Sequence, residues 1–141
     1  SDIIAIKNGL KDGTIDVIAT DHAPHMNLEK DVEFDKAPNG IIGLETSLAL
    51  SITHLVKDKW LTLNELIEKM SINPRKLLNI KPVMIEENQV ANLTIFNPDE
   101  EWIVDKSQFK SKSRNTPFEK FKLFGKVKFV VNNHQLYHST L

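Results

Sequence analysis

The chain has 141 residues, 40% of them hydrophobic and 26% charged, with a net charge of -1, which is the composition of an ordinary folded domain. It has no cysteine, so neither a disulfide nor a thiolate metal site can form, and any metal would be held by oxygen and imidazole. No basic excess attracts a polyanion, no apolar run is long enough to span a bilayer and no basic-then-apolar leader opens the sequence, so no nucleic acid and no membrane are expected as partners and the cytoplasm is the expected location.

Asp2 is placed to cap a first helix in which Ile3, Ile6 and Leu10 recur at spacings of three and four, and Asp12-Gly13 stops it. Residues 15–20 open on a β-branched run and read as a buried strand. A loop follows to residue 40, mostly polar between 27 and 36, and loops of this length inside a compact domain are usually functional or mobile. Gly40 and Gly43 are expected to open a long helix with Ile41, Leu44, Leu48, Ile52 and Leu55 on one face. Its start would aim unpaired N–H groups of Asn39 and Gly40 at the loop, a place for a carboxylate or a polarised carbonyl; a plain tight turn at Gly40 is the alternative.

Thr62-Leu63-Asn64-Glu65 is a capping box for a short helix with Leu63, Leu66, Ile67 and Met70 inward, and Asn73-Pro74 begins another short turn that should bury Leu77 and Leu78. From about Lys81 the period becomes two. Residues 83–85, 90–96, 102–104 and 127–131 read as short strands, with turns at Glu-Glu-Asn, Asn-Pro-Asp and Asn132-Asn133. The four basic residues between Lys106 and Arg114 read as a solvated loop. His54 lies within the long helix as a surface or packing residue; His134 and His138, on a strand, would lie about 13 Å apart, too far to share a metal.

Chemistry concentrates in Thr20-Asp21-His22-Ala23-Pro24-His25, one carboxylate and two imidazoles at the end of the predicted strand. In an α/β barrel the C-terminal ends of the strands face the active site, so Asp21 is a candidate ligand or base. Pro24 stiffens the path to His25. Asp and His are also common turn formers, and on these residues alone the turn reading stays open.

The same string, followed by Ala37-Pro38-Asn39-Gly40-Ile41-Ile42-Gly43-Leu44-Glu45-Thr46 and then in order by Asn115-Thr116-Pro117-Phe118 and Gly125-Lys126-Val127, resembles the C-terminal part of the bacterial-type (class I) dihydroorotases of the amidohydrolase superfamily. The resemblance covers nearly the whole chain. It implies an α/β fold in which residues 1–80 are the last strand and helices of a metal-dependent (β/α)8 TIM barrel and residues 81–141 are the C-terminal strands of a small flanking β-sandwich. A complete barrel needs roughly 250 residues, so a fragment of a longer enzyme is expected.

The resemblance further implies zinc, one or two ions, with most ligands (a His-x-His pair among them) and the Arg that grips the substrate carboxylate outside this chain. Asp21 would be both metal ligand and catalytic general acid/base, His25 a contact to the substrate, and Asn39 and Gly40 contacts to its ring through backbone atoms, while His22 would either support the residues that touch metal and substrate or be structural. The implied reaction is the reversible hydrolysis of dihydroorotate to N-carbamoyl-L-aspartate in de novo pyrimidine biosynthesis; these residues alone are expected to bind metal weakly and not to turn over. A homodimer and association with a transcarbamoylase are the protein partners the resemblance brings. Hydantoinases and allantoinases, which share the strand-end Asp but usually lack a His at the place of His25, form one alternative. A non-catalytic dihydroorotase-like partner of a transcarbamoylase forms the other, although a structural role needs neither Asp21 nor His25. Family members often carry Gly and Asp near the places of Asn88 and Asn92; Asn also tolerates left-handed backbone.

Overall fold

Helix α1 (Asp2–Asp12) forms and ends at Gly13, but Ser1 and not Asp2 is at its N-cap, and Asp2 lies in the first turn. The structure, a computed structural model, describes residues 1–139, so the last two positions of the expected 81–141 unit lie outside the described residues. Helix α1 is buried only near its C-terminus, at Gly9 and Leu10, with Lys7 lying over the Trp60 ring; Ile3 and Ile6 stay exposed because nothing among the described residues covers them.

Residues 15–20 are extended but belong to no sheet. A strand needs a partner's ladder, and here the backbone polar groups go to helices instead. Ile15 N–H donates to Gly9 O at 2.8 Å and Ile18 N–H to Lys69 O at 3.0 Å. The carbonyls of Ile15 and Asp16 accept from Lys69 Nζ at 2.7 Å and Asn73 Nδ2 at 3.0 Å. The segment that leads into the Asp-His string is thus anchored sideways, with the buried Lys69 holding it by both its side chain and its carbonyl.

The expected loop carries a short helix, α2 (Asn27–Lys30), and the expected long helix begins at Ser47 and not at Gly40. Residues 41 and 42 cannot be helical because they are engaged sideways: Ala23 N–H donates to Ile41 O and Ile42 N–H to Asn115 O. Helix α3 (Ser47–Ser51) then runs without a break into a π-helical stretch, Ile52–Lys57. The later start rotates the buried face to Thr46, Ala49, Ile52 and Leu55, and leaves Ile41 and Leu44 in solvent.

Helix α4 (Leu63–Ile67) continues through a π-helical turn, Glu68–Ile72, into α5 (Asn73–Leu77). Its capping box is present: Thr62 Oγ1 accepts from Glu65 N–H at 3.3 Å, and Glu65 Oε2 accepts from Thr62 N–H at 2.6 Å. Leu66 is fully buried, but Leu77 and Leu78, expected inside, are exposed. Leu77 shares a helical face with Leu66 and Met70, yet nothing among the described residues covers that turn.

Thr62→Ala is expected to destabilise the full-length protein by about 1 kcal/mol, read from its denaturant midpoint, because the first turn loses its side-chain acceptor. The Thr62 N–H, and then its hydroxyl, hold the Glu65 carboxyl below the ordinary glutamate value. A carboxyl lowered by folding stabilises the fold above its unfolded pKa and loses that contribution as pH falls through the folded value. The Thr62→Ala penalty should therefore shrink in acid, and a penalty that is flat with pH would separate Glu65 from the cap.

The remaining strands form one antiparallel sheet in the order β1 (Leu93–Ile103), β2 (Lys122–Asn132), β3 (Gln135–His138). The expected strands 90–96 and 102–104 are one strand, because Asn97-Pro98-Asp99 is a bulge and not a turn: Asn97 pairs with Lys126 and Glu101 with Phe124. Residues 83–85 form no strand. Gly125 lies opposite the bulge with φ 92, and a Cβ there would sit 2.4 Å from Ile52 Cδ1, so the helix can seat directly on the strand. Beside it Phe124 N–H donates to Thr53 Oγ1 at 2.8 Å. A two-residue hairpin, Asn133-His134, with positive φ at both positions, joins β2 to β3.

Two cores result. Ile42, Ala49, Trp102, Val104, Phe109 and Leu123 form one, between the start of α3 and the sheet. Leu10, Ile52, Leu55, Leu61 and Leu66 form the other, among the helices. The 106–114 segment is more than a solvated loop: its lysines are exposed, but Phe109 is a core residue. No helix among the described residues is long and apolar enough to cross a membrane.

Candidate functional site

Asp21 follows the anchored extended segment with φ 42, a left-handed conformation that costs a non-glycine residue about 1 kcal/mol or more. Its side chain is exposed, and no described residue bonds to its carboxylate. The next residue, His22, is structural: its Nδ1 accepts from the N–H groups of Gly43 at 3.1 Å and Leu44 at 3.4 Å. Those two donors place any ring proton on Nε2. The unpaired N–H groups expected at Asn39 and Gly40 from a helix start there arise differently. Both are free of described partners because Asn39 and Gly40 lie in irregular backbone before the helix, and the N–H groups that meet His22 are those of Gly43 and Leu44 in the turn that leads into it.

His25, Asn39 and Gly40 lie together. His25 Nε2–H donates to Asn39 O at 3.0 Å, and its Nδ1 lies 3.8 Å from Glu29 Oε2. Gly40 has φ 102, and a Cβ on it would come within 2.5 Å of Ala23 Cβ and 3.8 Å of His25 Nε2. Only glycine lets the 39–41 backbone lie against the 23–25 backbone this closely. The loop between them is held at its ends, by Glu29 Oε2 on Met26 N–H (2.8 Å) and Lys30 Nζ on Pro38 O (2.6 Å), while Phe34 at its tip is 99% exposed.

One residue of this site had no role in the sequence reading. Asn115 Nδ2 donates to Ala23 O at 2.8 Å and Gly40 O at 3.4 Å, its Oδ1 accepts from His25 N–H at 3.3 Å, and its carbonyl accepts from Ile42 N–H at 3.2 Å. The Asn115-Thr116-Pro117-Phe118 string was the available signal, but 90 residues separate Asn115 from His25, and no local pattern shows that they touch.

Among the described residues no group of three or more His, Asp or Glu side chains could hold a metal. Asp21 fits as a single oxygen ligand at most. A groove of about 1240 Å³ lies elsewhere, between α4–α5 and the sheet, lined by residues such as Met70, Ile80, Phe96 and Val130. None of Asp21, His25, Asn39 or Gly40 lines it, and its surface is mainly apolar, so the polar cluster is the better candidate for chemistry.

An exposed carboxylate at the end of an anchored segment, in the same chain as free backbone donors at Asn39 and Gly40, is chemistry that a hydrolase of polar substrates can use. The chain belongs to the amidohydrolase family, which it matches over residues 1–133. Over 95% of its length it is 56% identical to the dihydroorotase of Clostridioides difficile (strain 630), of which it covers 31%. An L-hydantoinase (dihydropyrimidinase) structure from Arthrobacter aurescens superposes on 96% of the chain with TM-score 0.86 at 31% identity, the match covering 31% of that chain. The inactive dihydroorotase-like domain of a Chaetomium thermophilum CAD-like multifunctional protein shares the fold, with TM-score 0.66 at 23% identity over 94% of this chain and 34% of its own. The chain thus spans less than a third of the length of the curated relatives named first among its matches.

Proposed function

We propose that the full-length protein is a dihydroorotase, catalysing the reversible hydrolysis of dihydroorotate to N-carbamoyl-L-aspartate in cytoplasmic pyrimidine biosynthesis. The observation that carries this reading is the 56% identity to a dihydroorotase over nearly the whole chain, against 31% to the hydantoinase. In this reading residues 1–80 complete a TIM barrel, and residues 81–141 contribute strands to a flanking β-sandwich. A homodimer, and association with a transcarbamoylase, belong to the same reading.

Opening a cyclic amide at neutral pH needs a nucleophile stronger than bulk water, and a bound zinc ion would supply it by lowering the pKa of its water to about 7. Asp21, unpartnered at the end of its segment, would take the proton released as the water oxygen bonds to the carbonyl carbon and give it to the ring nitrogen as the C–N bond breaks. In ring closure the same carboxyl works in reverse. Asp21 would also be one metal ligand, with the others outside these residues. The Asn39 and Gly40 N–H groups and the His25 ring would hold the substrate's ring and carboxylate.

Dihydroorotate and hydantoin hydrolysis by the zinc-loaded full-length protein, beside the 141-residue chain alone, tests this. Turnover of dihydroorotate by the full-length protein only is the expected result. Turnover of hydantoin in preference would move the protein to the hydantoinase type, and a folded but inactive full-length protein would leave the structural-partner reading.

A further inference from the structure

We propose that Asn115 is a positioning residue for the substrate site, setting the separation and orientation of its two backbone arms, residues 23–25 and 39–42. The inference rests on the dihydroorotase reading for its substrate and on geometry for everything else.

The two arms touch directly in two places, through Ala23 N–H to Ile41 O at 2.9 Å and His25 Nε2–H to Asn39 O at 3.0 Å. Two bonds allow the arms to hinge, and the second breaks whenever the His25 ring turns toward a ligand. Asn115 adds four bonds, two to each arm: Ala23 O and His25 N–H on one side, Gly40 O and Ile42 N–H on the other. A primary amide suits the position because it presents two donors and an acceptor from one rigid plane. The NH2 faces the two carbonyls, and the oxygen faces the amide N–H. Asp would set a carboxylate against two carbonyl oxygens, Ala would leave all three side-chain partners unmet, and Gln would add a methylene where the contacts are already at bonding distance.

The segment that leads into Asn115 is itself held. Ser111 N–H donates to Glu45 Oε1 at 2.8 Å, and Arg114 Nη1 donates to the Ser111 carbonyl and, at 3.0 Å, to the Ser113 carbonyl. Glu45 lies in the turn that leads into α3, so the clamp is referred to the helix that seats on the sheet. The half-buried amide has hydrogen bonds to the two arms and none to Asp21, so its effect falls on how tightly substrate is held and oriented. That effect is a rise in KM larger than the loss of kcat.

The test uses full-length, metal-loaded enzyme with dihydroorotate. Asn115→Ala is expected to raise KM roughly tenfold while kcat falls less than about threefold, the scale of losing one or two hydrogen bonds. In Asn115→Asp the KM defect, taken as a ratio to wild type at each pH, should shrink as pH falls, because the protonated carboxyl regains one donor and one acceptor; in Asn115→Ala the ratio should stay flat. A scaffold role would lower thermal stability and kcat together and would not respond to protonation of Asp. An unchanged KM in Asn115→Ala, or ratios equally flat in both variants, overturns the proposal. If wild-type enzyme opens hydantoin and not dihydroorotate, the substrate reading fails and the same KM comparison is made on hydantoin. If wild type turns over neither, amide exchange decides: the His25 N–H should lose at least about tenfold protection in Asn115→Ala, and unchanged protection overturns the clamp.

Discussion

Asp21→Asn in the full-length protein is expected to lower kcat for dihydroorotate opening by about 10³-fold, within the range that removing a positioned acid/base gives. Asn matches Asp in shape, so the left-handed backbone at φ 42, which Asn also tolerates, should survive. What is lost is the capacity to hold a proton between water and ring nitrogen. Initial rates at saturating substrate, with metal content measured on the same samples, separate the two roles assigned to this side chain. Lost activity with retained metal assigns the proton transfer, and parallel loss of both assigns the ligand. A variant with more than a third of wild-type kcat would remove Asp21 from the chemistry and return the Asp-His string to the turn reading.

Gly40→Ala should cause the second largest effect, on both stability and turnover. The added methyl would have to fit 2.5 Å from Ala23 Cβ at φ 102. Ala23 is a short side chain on a backbone held by Asn115 and Ile41, so relief requires the arms to part. A strained left-handed residue costs about 1–3 kcal/mol, and a displacement of about 1 Å at a positioned substrate costs about a hundredfold in rate. The expected outcome is a lower thermal midpoint together with a fall in kcat/KM of that order. Because Gly40 and Asn115 act on the same separation, the double variant with Asn115→Ala should lose less than the sum of the two, in free-energy terms. Full additivity, or a Gly40→Ala enzyme with wild-type KM, would mean that the spacing of the arms does not matter to binding.

The relation between the chain and its structure follows from which interactions are local. The capping box at Thr62–Glu65 and the stop at Gly13 were legible because each involves residues within one turn of each other. The expected strand 15–20 was legible as extended chain but not as a sheet member, because its partners are Gly9, Lys69 and Asn73, none of which a period can reveal. Gly40 was marked correctly as special, yet the helix start was placed there because a glycine before an apolar stripe reads the same whether it opens a helix or ends an arm. The engagement of Ile41 and Ile42 by Ala23 and Asn115 moved the start to Ser47. Leu77 and Leu78 show the converse, an apolar stripe with no cover among the described residues.

At the site the division is the same. The sequence by itself determined the chemical inventory: a carboxylate after an extended run, His25 beyond a proline, a glycine at position 40, no thiolate, and through its motif strings the family. It could do so because residue identity and short-range spacing are properties of the chain alone. The tertiary structure decided that His22 serves Gly43 and Leu44, that His25 meets Asn39, and that Asn115 joins both arms. Hydrogen bonds between segments 14 to 92 residues apart depend on how the cores bring those segments together, and no local pattern encodes that distance.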